Sequence, residues 1–117
     1  FARYRYVKDA AAWIRENIPS QEVIISNNPV VMYYAGHWNR LSAFWSGYPP
    51  NTAQNMVVSS QEQPRGSYEG IDFAVIDVRH GNEPLDEMIG AHTGGKVIAT
   101  FANRRGDHLT ILALPGD

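Results

Sequence analysis

Residues 9–36 read DAAAWIRENIPSQEVIISNNPVVMYYAG, and three structural signals follow one another in that stretch. Val7, Ala10, Ala11, Ile14 and Ile18 recur at i, i+3, i+4, i+7 and i+11. That spacing predicts one apolar helix face, which Pro19 ends. Glu22 to Asn27 is a short β-branched run, the pattern of a buried strand. Asn28-Pro29 then opens a second helix: Asn28 suits the N-cap, Pro29 the first helical position, and Gly36 the stop.

Outward from this block the alternation continues. The first eight residues, FARYRYVK, hold three positive charges and three aromatics and form a flank that extends the first helix. Arg40 to Trp45 is a weaker strand, Tyr48-Pro49-Pro50 a break, and Thr52 to Gln63 a helical segment. Ile71 to Val78 (IDFAVIDV) is a second clear strand, nearly apolar throughout. Glu83 to Ile89 is a short helix ended by Gly90. Lys96 to Ala102 and His108 to Leu114 are strands joined through Asn103-Arg104-Arg105-Gly106-Asp107 as a hairpin. Helices alternating with near-continuous apolar strands predict a sheet covered on both faces. The expected fold is α/β: a small three-layer Rossmann-like sandwich, with a mainly parallel sheet and a C-terminal antiparallel hairpin.

Composition agrees with one folded domain over residues 1–117. Hydrophobic residues are 44% and charged residues 19%, too apolar for a disordered tail. The net charge of −2 argues against a nucleic-acid partner, whose phosphates call for a basic surface. Without cysteine there are no disulfides, thiolate metal sites or cysteine nucleophiles. No apolar run is long enough to span a membrane, and no signal peptide is visible. The chain starts at Phe1 rather than Met, which points to a piece of something larger.

In open α/β sheets, ligands favour the crevice beyond the carboxyl ends of the strands. Two places meet that rule: Ser26-Asn27-Asn28 after the first strand, and Asp77, Arg79, His80 and Asn82 after the third. Asn27 and Asn28 can bind a hydroxyl or an anion, although capping alone explains Asn28. Asp77 and His80 have the chemistry of an acid and a base; a turn held by an Asp77–Arg79 pair is the simpler reading. Trp38, Trp45 and Tyr48, in a stretch with Tyr33, Tyr34 and Phe44, offer faces for sugars or a partner. Arg105-Gly106-Asp107 is better read as a turn than as an adhesion tripeptide. There is no G-x-S-x-G elbow, no G-x-G-x-x-G or Walker A loop, and no histidine pair at metal-ligand spacing. No catalytic residue, metal, cofactor or nucleotide is therefore expected.

The order A-x-W-I-r-e-n-i-P, strand, N-x-P and helix with paired tyrosines, over Asp9 to Trp45, resembles a soluble domain at the carboxyl end of polytopic membrane glycosyltransferases. These are similar to the dolichyl-phosphate-mannose–protein mannosyltransferase and aminoarabinose transferase group, which use lipid-phosphate-linked sugars. The strand at Ile71 to Val78 fits the same domain less closely. The resemblance implies a non-catalytic module on the extracytoplasmic face, periplasmic or cell-surface. Its partners would be the transmembrane part of the same polypeptide and a lipid-linked sugar or acceptor. The family's sugar-transfer acids lie among membrane helices, so no position here inherits a catalytic role. Two alternatives remain. One is a free-standing enzyme or partner-binding module using Asp77 and His80. The other is a receiver-like module, against which the absence of acids after the first strand counts.

Overall fold

The computed structural model describes residues 4–36, 41–44 and 70–115. Its first helix, α1 (Arg5–Asn17), buries Tyr6, Val7, Ala10, Ala11 and Ile14. Four of the five residues whose spacing predicts the helix are among these, so α1 forms because one stripe can leave water; the fifth, Ile18, is buried just past the helix end. The flank joins it: helix begins at Arg5, and Tyr6 is part of the buried face. Ahead of Pro19, Ile18 is extended, and its N–H closes the last turn on the Ile14 carbonyl at 2.9 Å. Strand β1 (Ile24–Ser26) follows, wholly buried. Helix α2 (Pro29–Tyr34) starts as its sequence dictates: the Asn28 side-chain oxygen accepts from the N–H groups of Val30 (2.9 Å) and Val31 (3.3 Å).

Strand β2 (Leu41–Phe44) comes next. After the segment beyond it come β3 (Phe73–Val78), α3 (Leu85–Thr93), β4 (Lys96–Ala102) and β5 (His108–Ala113). The helix expected at Thr52 to Gln63 lies outside the described residues. Helix α3 runs through Gly90, contrary to expectation, and stops at Gly94, which takes the left-handed conformation (φ +76°) and bonds the Gly90 carbonyl at 2.8 Å. Gly90 in a helix is merely unfavourable; Gly94 supplies the geometry that ends one.

The strands form one mixed α/β sheet. Four of them run in the order β1-β3-β5-β4, and β2 adds to the outer side of β1. β1 is parallel to both β2 and β3, whereas β3–β5 and β5–β4 are antiparallel. The expectation of a mainly parallel sheet is therefore corrected, because only two of these four pairings are parallel. The hairpin makes β4 and β5 antiparallel, and its second strand, not its first, takes the inner place. Burial explains the choice. Four consecutive residues of β5, from Leu109 to Leu112, are buried, while β4 is mostly exposed. A strand buried on both faces reads as a continuous apolar run whichever way it points, so direction was not legible from β5 itself.

Alternation along the strands separates two cores. Ile24, Val75, Leu109 and Ile111 pack with α1 and α2, while Ile25, Ala74, Ile76 and Leu112 pack with Leu85 and Ile89 of α3. Helices thus cover both faces.

The hairpin shapes the end of the sheet where β1 and β3 finish. The Asn103 side-chain oxygen accepts from the N–H groups of Arg105 (2.9 Å) and Asp107 (3.0 Å), and its amide donates to the Asp107 carboxylate at 3.0 Å. Gly106 has φ +94°, and a Cβ there would lie 2.7 Å from Nδ1 of His80. Both the backbone conformation and the approach of the imidazole require glycine. We expect Gly106→Ala to destabilise the fold by about 2 kcal/mol, measured as a lower urea midpoint with an unchanged slope.

Candidate functional site

Because β1 and β3 are parallel neighbours, with Ser26 opposite Val75, the two polar clusters picked from the sequence meet at one end of the sheet. Asn27 continues the ladder with its side chain. Its amide donates to the Asp77 carbonyl at 2.9 Å, and its oxygen accepts from the Asp77 N–H at 2.8 Å. One residue earlier, the Ser26 hydroxyl donates to the Val75 carbonyl at 2.7 Å and accepts from the Asn28 N–H at 3.0 Å. These bonds satisfy the backbone groups that the ends of the strands would otherwise leave unpaired.

The Asp77 side chain is only 6% exposed, so it is not the surface acid of a simple turn. Its Oδ1 accepts from the Tyr6 hydroxyl at 2.9 Å. Its Oδ2 accepts from the Asn28 amide at 2.9 Å and from Nε of Arg79 at 3.1 Å. One carboxylate thereby ties together α1, the cap of α2, β3 and the loop after β3. The Asp77–Arg79 pair expected from the sequence is present, and the Arg79 guanidinium also lies 5.9 Å from the centre of the Tyr4 ring. Burial, and then the neighbouring Asp77 charge, hold the Tyr6 hydroxyl in its protonated form well above the usual phenol range.

His80 makes no hydrogen bond to Asp77 among the described residues, so the structure does not assemble those two into an acid–base pair. Instead the His80 N–H donates to Oδ1 of Asp107 at 2.8 Å, and its ring lies against Gly106. That N–H and the Asn103 amide keep the Asp107 carboxyl below the usual range. Asn82 closes the turn after β3, its N–H donating to the Arg79 carbonyl at 3.0 Å. Trp38, Trp45 and Tyr48 lie outside the described residues. Of the other aromatics in that group, Tyr33 (67% exposed) and Tyr34 (44%) stand on the open side of α2, their rings edge to face at 5.8 Å.

A second polar cluster went unread in the sequence. Asp86, buried in the first turn of α3, accepts on Oδ2 from the Thr110 hydroxyl at 2.6 Å and lies 2.9 Å from Nε2 of His108. His108 and Thr110 stand two apart on β5, hence on one face, and this was the available signal. A groove beside them, bounded by α3, β4 and β5, has a volume of about 460 Å³. No three acidic or histidine side chains among the described residues converge as a metal site. No helix among them is long and apolar enough to cross a membrane.

Chemically, the strand-end cluster is a clamp. Both Asp77 oxygens receive donors from neighbouring elements, which holds the carboxylate in one place. The chain matches no protein-family model, no curated protein and no solved structure.

Two outcomes test the clamp. Asp77→Ala should destabilise the domain by about 2 kcal/mol, since it strands the buried Tyr6 and Asn28 donors while the half-exposed Arg79 returns to water; denaturant titration gives the value. The pH profile should fall off on both sides. Above about pH 10, the unfolded chain loses the Tyr6 proton before the folded one does, so stability drops as pH rises. Tyr6→Phe should flatten that alkaline limb. Below about pH 4, the Asp107 contribution disappears as its carboxyl protonates. Asp107→Asn should reduce the acid limb of the same titration.

Proposed function

We propose that this chain is a non-catalytic extracytoplasmic domain of a membrane glycosyltransferase that takes sugar from a lipid-phosphate donor, and that it helps position donor or acceptor. One observation carries the reading. The polar residues at the strand ends, Asn27, Asn28 and Asp77, are engaged by one another, by Tyr6 and by Arg79 in holding the fold together. That use suits a domain whose work is shape and contact rather than proton transfer. The motif from Asp9 onward, on which the resemblance rests, coincides with most of the α1–β1–α2 unit, and its N-x-P element is the cap and first residue of α2.

In this reading the sheet is a small Rossmann-like sandwich. The parallel pairs around β1, with helices on both faces, support that assignment. The transmembrane part of the same polypeptide is the principal partner, the location is the periplasmic or cell-surface face, and the sugar-transfer acids belong to that other part. The enzyme alternative loses ground because its acid and base are not joined.

The coding sequence upstream of Phe1 tests the proposal. We expect several apolar stretches, each about 20 residues long, and an acidic residue in the loop after the first. A start codon beside Phe1 with no such stretch would overturn it. So would sugar transfer from a lipid-phosphate donor by the isolated domain.

A further inference from the structure

Half of the chain's eight arginines, Arg5, Arg79, Arg104 and Arg105, gather at the end of the sheet where β1 and β3 finish. Arg5, Arg104 and Arg105 line one crevice of about 780 Å³ between the amino end of α1 and the β4–β5 hairpin. Asp9 is the only carboxylate lining it among the described residues. Arg105 also borders an adjoining recess of about 330 Å³, lined further by Tyr4, Arg79, His80 and Asp107. The chain as a whole carries a net charge of −2, so this local excess of positive charge runs against the molecule's balance.

These cations are not there to hold the fold. Arg5, Arg104 and Arg105 are exposed, and none forms an ion pair among the described residues. Asp77 is held by Tyr6, Asn28 and Arg79, and Asp107 accepts from the His80 N–H and the Asn103 amide while also feeling the charges of Arg79 and Arg105; within the crevice itself Asp9 stands against the three arginines. The first turn of α1 has no acidic residue, so the partial positive charge at its amino end adds to that of Arg5. The hairpin backbone under Arg104 and Arg105 is braced by Asn103, which reduces the ordering needed on binding.

We propose that this crevice binds a phosphate group through Arg5, Arg104 and Arg105. The guanidinium fork matches pairs of phosphate oxygens. Three forks around one crevice suit a tetrahedral anion with several oxygens better than a carboxylate, which offers one pair. A neutral sugar would leave an excess of positive charge in the crevice, where Asp9 is the one carboxylate beside three arginines among the described residues. The site is independent of the glycosyltransferase reading, since it stands on side chains of this chain alone.

Amide NMR of the domain, titrated with sodium phosphate against sodium chloride at equal ionic strength, tests it. Flotation with phosphatidylcholine vesicles, with and without phosphatidate, forms the second arm. We expect saturable shifts at residues 5–9 and 103–106, weakened roughly tenfold or more for each arginine removed in Arg5→Gln and in the double variant Arg104→Gln/Arg105→Gln. All three side chains are exposed, and unchanged core resonances would confirm that the variants fold. Saturation by phosphate itself assigns the site to a soluble phosphate. Arginine-dependent flotation that needs phosphatidate, without a response to free phosphate, assigns it to a phosphate borne by lipid. Absence of both, or binding that survives the double variant and Arg5→Gln, overturns the proposal and leaves the upstream coding sequence to decide the glycosyltransferase reading separately.

Discussion

At the carboxyl ends of β1 and β3, the surrounding elements meet on the Asp77 carboxylate. Three donors from α1, the α2 cap and the loop after β3 converge on its two oxygens. A buried carboxylate without partners would be strongly unfavourable, and with them it becomes a junction. Its backbone is tied as well, through the Asn27 side chain. The parallel pairing of β1 and β3 is thus closed by side chains just where the ladder ends. Three donors on one carboxylate fix it in place as a junction between elements.

The hairpin is the second organising element. Its five connecting residues set β4 and β5 antiparallel, and Asp107 and Gly106 join it to the loop after β3 through His80. A loop braced in this way sets its backbone beside the amino end of α1. Arg104 and Arg105 therefore face the same crevice as Arg5, although about a hundred residues separate them in the chain. The Asp86 cluster does similar work on the opposite face, joining the first turn of α3 to β5 through Thr110 and His108. At the sheet edge, β4 leaves Val97 and Ile98 exposed, and its register shifts between Val97 and Ala99. Such an irregularity blunts an otherwise open edge.

Much was legible locally. Positions 7, 10, 11 and 14 announce α1, Asn28-Pro29 announces α2, and the apolar run at 73–78 announces β3. Each of these signals lies within a few residues of the structure it dictates. The stop of α3 is not legible locally because Gly90, Gly94 and Gly95 lie close together and a glycine's presence does not reveal its φ; of the three only Gly94 is left-handed. Asp77 and Asn28 were both picked from strand-end positions, but nothing in their spacing says that they bond to each other.

By itself the sequence determined the apolar face of α1, the start of α2, the buried strands and the hairpin, because propensity, capping and periodicity act over a few residues. Tertiary structure decided which way the sheet's neighbours run, placing β5 inside and β4 outside according to how much apolar surface each could bury. It also decided what the polar residues do. Asp77 became a buried clamp, Asp86 found Thr110 and His108, and three distant arginines came to line one crevice, since long-range contacts exist only once the chain has packed.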